Sequence, residues 1–271
     1  MPIDPSSSPL HLFAAELRHY RNRAGLIQAQ LADRIGYSAS LVAAIETARR
    51  VPRRDLVGRC DKELNTDDAL MRLFPLVKRA AYPASLLPFL DYEEASVEIR
   101  AWEPLVIPGL LQTEDYARAV ITAGQPGEGG DSIDEKVEGR AERQRILDRD
   151  NPPLLWVIIS EIALRCQVGG HTVMREQLGR LLEASARPKI IIQVVTLDVG
   201  AHPGLGGPLE LLTQPGEPEI AYFEVHDLAQ IVEHPEQVTR YSLWFDMLRA
   251  VALSPERSRD LIASLMKEDR S

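Results

Sequence analysis

The sequence predicts a chain of two parts, an all-helical bundle followed by an α/β domain with a mixed sheet and C-terminal helices. Three observations predict it. Residues 28–47 have the apolar spacing of a helix-turn-helix. Beyond Ala95 the helical periodicity gives way to an alternating segment at 96–102 and largely apolar runs at 154–159 and 190–195, which suit strands. Charge divides along the same line: residues 10–80 carry 13 Lys/Arg against 8 Asp/Glu, whereas residues 81–271 carry 18 against 31.

The first part begins with a Pro/Ser-rich stretch, 1–9, expected to be disordered. Residues 10–23 read as a helix ended by Gly25. Residues 28–35 and 38–47 are the paired helices. Leu31, Ile35, Val42 and Ile45 supply the apolar contact between them, Ala32 lets the backbones approach, and Gly36 tolerates the positive φ of the turn. Ser38 is the expected N-cap of the second helix. The run Arg49-Arg50-Val51-Pro52 stops it, and helices over 55–64 and 67–81 complete a five-helix DNA-binding domain spanning 10–81. Pro83 and Pro88 mark 82–95 as a linker.

The second domain, 96–271, opens with the 96–102 strand. A helix over 114–123, a Gly/Pro loop over 124–130 and a charged helix over 133–148 follow. The strand 154–159, the helix 172–186 and the strand 190–196 form a crossover unit, which makes the two strands parallel. After the glycine-rich connection 200–207, strands at 209–213 and 220–225 flank Gln-Pro-Gly-Glu-Pro and read as a hairpin. Helices over 235–252 and 255–268, each with Pro near its start, close the chain.

The two cysteines, Cys60 and Cys166, fall in different domains and make no disulfide framework. The N-terminus lacks the basic and apolar regions of a signal peptide. The longest apolar runs are far too short to span a bilayer. A cytoplasmic protein without membrane partners is expected, associated with the nucleoid when bound to DNA.

The first domain resembles the Xre-class repressors in Leu17, Arg21, Gly25, Gln28, Leu31, Ala32, Gly36, Ser38, Ser40, Val42, Ile45, Glu46, Arg50 and Pro52. The resemblance implies that Gln28 anchors a phosphate at a helix N-terminus. It implies that Ser38, Ala39, Ser40, Ala43, Ala44 and Thr47 face the major groove of operator DNA. Hydroxyls can bond either base type and Ala methyls can touch thymine, but no long bidentate reader is present, so specificity per helix is modest. Arg49, Arg50, Arg53 and Arg54 would hold phosphates. Arg21 and Glu46 would form a structural ion pair between the first and third helices. A homodimer on two half-sites would double the sequence that is read.

The second domain is similar to the one that follows this helix-turn-helix in actinobacterial WhiJ-type and Scr-type antitoxin-like regulators. The segment from Glu93 to Arg118 carries most of the likeness, with Val-Ile-Pro-Gly-Leu-Leu-Gln-Thr at 106–113 its most specific part. Arg140, Arg143, Gln144, Ser160, Glu161, Gly169, Gly170, the 200–204 loop and Ser254-Pro-Glu256 extend it. The likeness implies a regulator paired with a small BldB-like protein, or an antitoxin-like protein that neutralises a neighbour-encoded partner and controls its own operon. No catalytic residue, metal or cofactor is carried over.

An enzyme reading would rest on His202 in the glycine-rich loop and on Glu224 and His226, which share one strand face by the period of two. Without a His-Glu-x-x-His or paired Cys-x-x-Cys pattern the metal signal is weak. The three residues stand as a candidate ligand or partner site, and the chain is expected not to be an enzyme.

Overall fold

The computed structural model describes residues 4–80, 86–127, 129–225 and 228–268. The chain separates into two compact units, Met1–Leu87 and Pro88–Ser271.

The first unit contains α1 (Pro9–Arg23), α2 (Gln28–Ile35), α3 (Ala39–Glu46), α4 (Arg54–Leu64) and α5 (Ala69–Ala80). The stretch expected to be disordered already organises α1. The Ser8 hydroxyl accepts from His11 N–H at 3.3 Å, and Pro9 occupies the first turn, where a missing N–H leaves no bond unmade. Gly36 ends α2 at φ +75°, and the amide of Tyr37 returns to the Ala32 carbonyl at 2.9 Å. The apolar stripes of all five helices meet in one core of Phe13, Leu17, Leu31, Ile35, Val42, Ile45, Leu56, Val57, Cys60, Leu70, Phe74 and Val77. Full burial of each large side chain stabilises by about 1.5–3 kcal/mol. Asp61 of α4 is buried beside α5; its carboxylate accepts from the Thr66 hydroxyl and from the amides of Leu70 (3.0 Å) and Met71 (2.9 Å). It thus satisfies first-turn donors that α5 cannot pair internally.

The second unit runs α6 (Leu87–Ala95), β1 (Glu98–Glu103), α7 (Glu114–Gly124), α8 (Gly130–Arg143), β2 (Leu154–Ser160), α9 (Glu161–Arg165), α10 (His171–Ala184), β3 (Ile190–Val195), β4 (Leu209–Thr213), β5 (Ile220–Val225), β6 (Leu228–Val232), α11 (Pro235–Val251) and α12 (Pro255–Glu268). The strands form one mixed sheet in the order β3-β2-β1-β4-β5-β6. β1, β2 and β3 are parallel, and β4, β5 and β6 are added antiparallel. One face packs Trp102, Ile158, Leu209, Leu211, Ala221 and Val232 against Val238, Phe245 and Leu248 of α11. On the other, Phe89 of α6 stacks on Tyr222 with ring centroids 3.9 Å apart. Gly204 lies so close to the indole of Trp102 that an added Cβ would sit 2.5 Å from it; the Trp102 Nε1–H donates to the Gly204 carbonyl at 2.9 Å.

Four elements depart from expectation. Within the stretch 82–95 taken as linker, Leu87–Ala95 is helical and buries Phe89 and Glu93; Pro88 lies in its first turn, where proline is tolerated rather than disruptive. The charged helix expected to reach residue 148 stops at Arg143 and continues as a 3-10 helix, Gln144–Asp148. There Gln144 Nε2 donates to the carbonyls of Gly109 and Gln112, both at 2.8 Å. The short helix α9 and the strand β6 were not expected at all.

Candidate nucleic-acid interface

α3 is built to show small residues outward. Val42 and Ile45 are fully buried on its inner side, which leaves Ser40, Ala43, Ala44 and Thr47 at i, i+3, i+4 and i+7 on the outer side. Ser38, Ala39, Ser40 and Thr47 are exposed; Ala43 and Ala44 are half-buried. The Ser38 hydroxyl accepts from Leu41 N–H at 3.2 Å and lies 3.0 Å from the Ser40 hydroxyl. Thr47 turns its hydroxyl back to the carbonyls of Ala43 (2.7 Å) and Ala44 (3.1 Å) and accepts from Arg49 Nε at 2.9 Å. Both hydroxyls therefore have local work in capping and closing the helix, and Ser40 is the one placed on the outer side of the first turn.

The C-terminal end of α3 explains where the arginines go. Ala48 takes φ +52°. Its amide returns to Ile45 (3.0 Å), and the Arg49 amide returns to Ala44 (2.9 Å). That pair of bonds is a Schellman closure. Arg49 and Arg53 are exposed, Arg50 is half-buried, and Arg54 opens α4 exposed. Beside them the Tyr37 hydroxyl donates to the Asp55 carboxylate, which holds Asp55 below the usual carboxylate range, while burial and Asp55 push Tyr37 up to about 12.

Behind this surface Arg21 and Glu46 form a buried two-pronged pair, Nε to Oε1 at 2.5 Å and Nη2 to Oε2 at 2.8 Å. Arg21 also donates to the Leu26 carbonyl (2.6 Å) and to Asn22 Oδ1 (2.9 Å). The side chain of Gln28 donates to Glu46 Oε2 at 2.8 Å. The residue expected to anchor a phosphate is thus tied in the structure to the buried pair. Glu46, fully spent on these donors, presents nothing to a base.

The candidate ligand site in the second unit does not assemble as the sequence suggested. Glu224 accepts from the Tyr222 hydroxyl at 3.0 Å, on the sheet face that carries Phe89. His202 meets the Trp102 ring edge-on at 5.3 Å, in the cluster under α11 on the opposite face. His202 reaches its position from the loop after β3, against Trp102, whose face is opposite that of Tyr222 and Glu224, and spacing along the chain could not reveal this. His226 lies outside the described residues. Among the described residues no group of three or more His, Cys, Asp or Glu is placed to hold a metal ion.

Sequence reasoning missed a set of carboxylates on the Tyr222 face. Glu103 of β1 and Glu210 of β4 point to the same side as Ile99, Ala101 and Leu212. Burial first, then Glu224, raises Glu103 to about 8; burial first, then Glu93, raises Glu210 to about 8. Glu93 of α6 is buried and held by Arg143 through bonds of 2.7 and 2.8 Å. The available signal was the strand pattern itself, which puts Glu103 and Glu210 in register with core positions.

Comparison with known families agrees with this division. A helix-turn-helix domain model matches residues 12–74, and the family described as Domain of unknown function (DUF5753) matches residues 86–264. No curated protein and no solved structure matches the chain. Among the described residues no helix is long and apolar enough to cross a membrane.

Proposed function

We propose, from the premise that the chain belongs to the DUF5753 family and carries a helix-turn-helix domain, that it is an operator-binding transcriptional regulator of the Xre class. The observation that carries the reading is α3: a short, tightly capped helix that presents only small side chains outward and runs directly into an arginine-rich turn. Ala39, Ser40, Ala43 and Ala44 face the groove; Arg49, Arg50 and Arg53 contact phosphates; Ser38 and Thr47 hold the helix ends while lying against the duplex; Gln28 reaches phosphate from α2 after release from Glu46. The protein acts as a homodimer through its second unit. That unit also docks a small BldB-like protein, as in WhiJ-type and Scr-type regulators, where the antitoxin-like role is the alternative.

Binding of the full chain to a duplex of its own upstream region, titrated across salt, tests the reading. Specific binding that falls steeply with salt is expected. Arg50→Ala and Arg53→Ala should weaken binding evenly across sequences and lower the salt slope by about 1 each, whereas Ser40→Ala should alter which sequences are preferred. No preference over random DNA would overturn it.

A further inference from the structure

We propose that β6, the last strand of the sheet, pairs antiparallel with β6 of a second copy of this chain about a two-fold axis at Gln230. The proposal rests on the homodimer in the functional reading and names the surface that makes it.

The two edges of the sheet are treated differently. At β3 the chain seals its own edge. The Val194 carbonyl accepts from Leu253 N–H at 2.8 Å, the Val194 amide donates to the Ser258 hydroxyl at 2.9 Å, and Gln193 Nε2 donates to the Leu253 carbonyl at 2.8 Å. At β6, among the described residues, no strand lies on the outer side. Natural sheets protect such an edge with charge, proline or a bulge. The sequence Leu228-Ala229-Gln230-Ile231-Val232 contains no charge and no proline, and it is paired with β5 without a break in register.

The register fixes what the edge offers. Val225 stands opposite Leu228, Phe223 opposite Gln230 and Ala221 opposite Val232. With two residues joining the strands, Val225 and Leu228 are the closing hydrogen-bonded pair, and such pairs alternate along the ladder. Leu228, Gln230 and Val232 therefore bond inward to β5, and Ala229 and Ile231 direct their N–H and C=O groups outward. A two-fold at Gln230 sets each Ala229 opposite the Ile231 of the other copy and satisfies all of these groups. It also sets Gln230 opposite itself. A neutral amide both donates and accepts, so it tolerates its own image, whereas any charge there would meet its like.

The side chains agree with a second copy as occupant. Leu228 is 77% exposed and Val225 56% exposed, on the face that carries α11. In the paired sheet Leu228 lies opposite the second copy's Val232, on that same face. The axis stands normal to the sheet, so α11 of both copies flanks it on one side. There Phe223, Tyr241 and the partly exposed Trp244 form a chain of edge-on rings at 4.8 and 5.1 Å, with Leu243 and Met247 exposed beside them. Charge points the same way. Residues 81–271 carry 31 Asp/Glu against 18 Lys/Arg, so two copies repel unless they meet on an uncharged strip, and β6 is one.

Sedimentation of the full chain at micromolar concentration tests this without DNA. The wild-type protein is expected to be a dimer. Gln230→Glu and Gln230→Lys should each raise its dissociation constant by about tenfold or more, and mixing the two variants should restore dimers, because opposite charges then face each other. Ile231→Pro, which removes an outward donor and leaves the β5 ladder intact, should give monomer. A monomeric wild-type protein would overturn the proposal. So would variants that remain dimeric, or a mixture that does not re-form dimers. A dimer that passes these tests but shows no operator preference would sink the functional reading alone.

Discussion

Ala48 sits at φ +52° in the closing turn of α3, a conformation that costs an L-residue roughly 1–2 kcal/mol and a glycine almost nothing. Ala48→Gly should therefore stabilise the first unit by about 1 kcal/mol, read as a later unfolding transition by calorimetry; a destabilised variant would show that the Ala48 methyl makes a contact worth more than the strain. Glu46 works in the opposite sense. It takes donors from Arg21 and Gln28 in a buried site, and truncating one member of such a pair leaves the other charge buried and unpaired. Glu46→Ala should cost about 3–5 kcal/mol of unfolding free energy. The turn glycine, the inner apolar residues and Ser38 were readable from spacing, because each does a job that few residue types can do. Gln28 was not. A glutamine at a helix start serves equally well as a phosphate ligand or as a second donor to a buried carboxylate, and only the position of Glu46 decides.

The elements that could be read from the sequence were those with a strong period or an unbroken apolar run: α2 and α4, β2 and β3, and the β4–β5 hairpin. Those missed share a physical cause. α6 carries in its first turn a proline that reads as a break, and β6 follows a two-residue connection without the glycine that usually announces one. The carboxylate set on the Tyr222 face joins β1 and β4, segments distant in sequence, so the strand pattern assigns each carboxyl a face but does not bring the two together. Glu103 and Glu210 are both raised from the ordinary carboxylate value to about 8. A group whose pKa is higher folded than unfolded binds more protons in the folded state, so its stabilising contribution is complete at low pH and is lost as pH rises toward the folded value. The second unit should accordingly lose stability between about pH 5 and about pH 8 on account of these two groups. All three tryptophans, Trp102, Trp156 and Trp244, lie in that unit, so their fluorescence on heating reports it separately. Glu210→Gln should flatten the pH dependence and raise the midpoint at the alkaline end; an unchanged slope would mean that Glu210 is not protonated in the folded protein.

Across the whole chain, the basic first unit and the acidic second one divide the labour of binding. Counterion release rewards only the residues that neutralise phosphates, and the excess of Asp/Glu in residues 81–271 gives that part no such reward. On the proposed reading its contribution to operator affinity comes from holding two helix-turn-helix units together. The second binding event then becomes intramolecular, and linkage of this kind can exceed the affinity of one module by about 10²–10⁴ without a new contact to DNA. A duplex with two half-sites about one helical turn apart should therefore bind the wild-type protein far more tightly than a duplex with one. Gln230→Glu should remove that advantage while leaving the single half-site affinity as it was, because the substitution lies in the second unit and touches none of the arginines at the end of α3. Competition titrations of the two duplexes against both proteins measure the difference directly. If the variant kept the full two-site advantage, the tether between the DNA-binding units would have to lie elsewhere in the chain, and the pairing of β6 would have no part in how the operator is held.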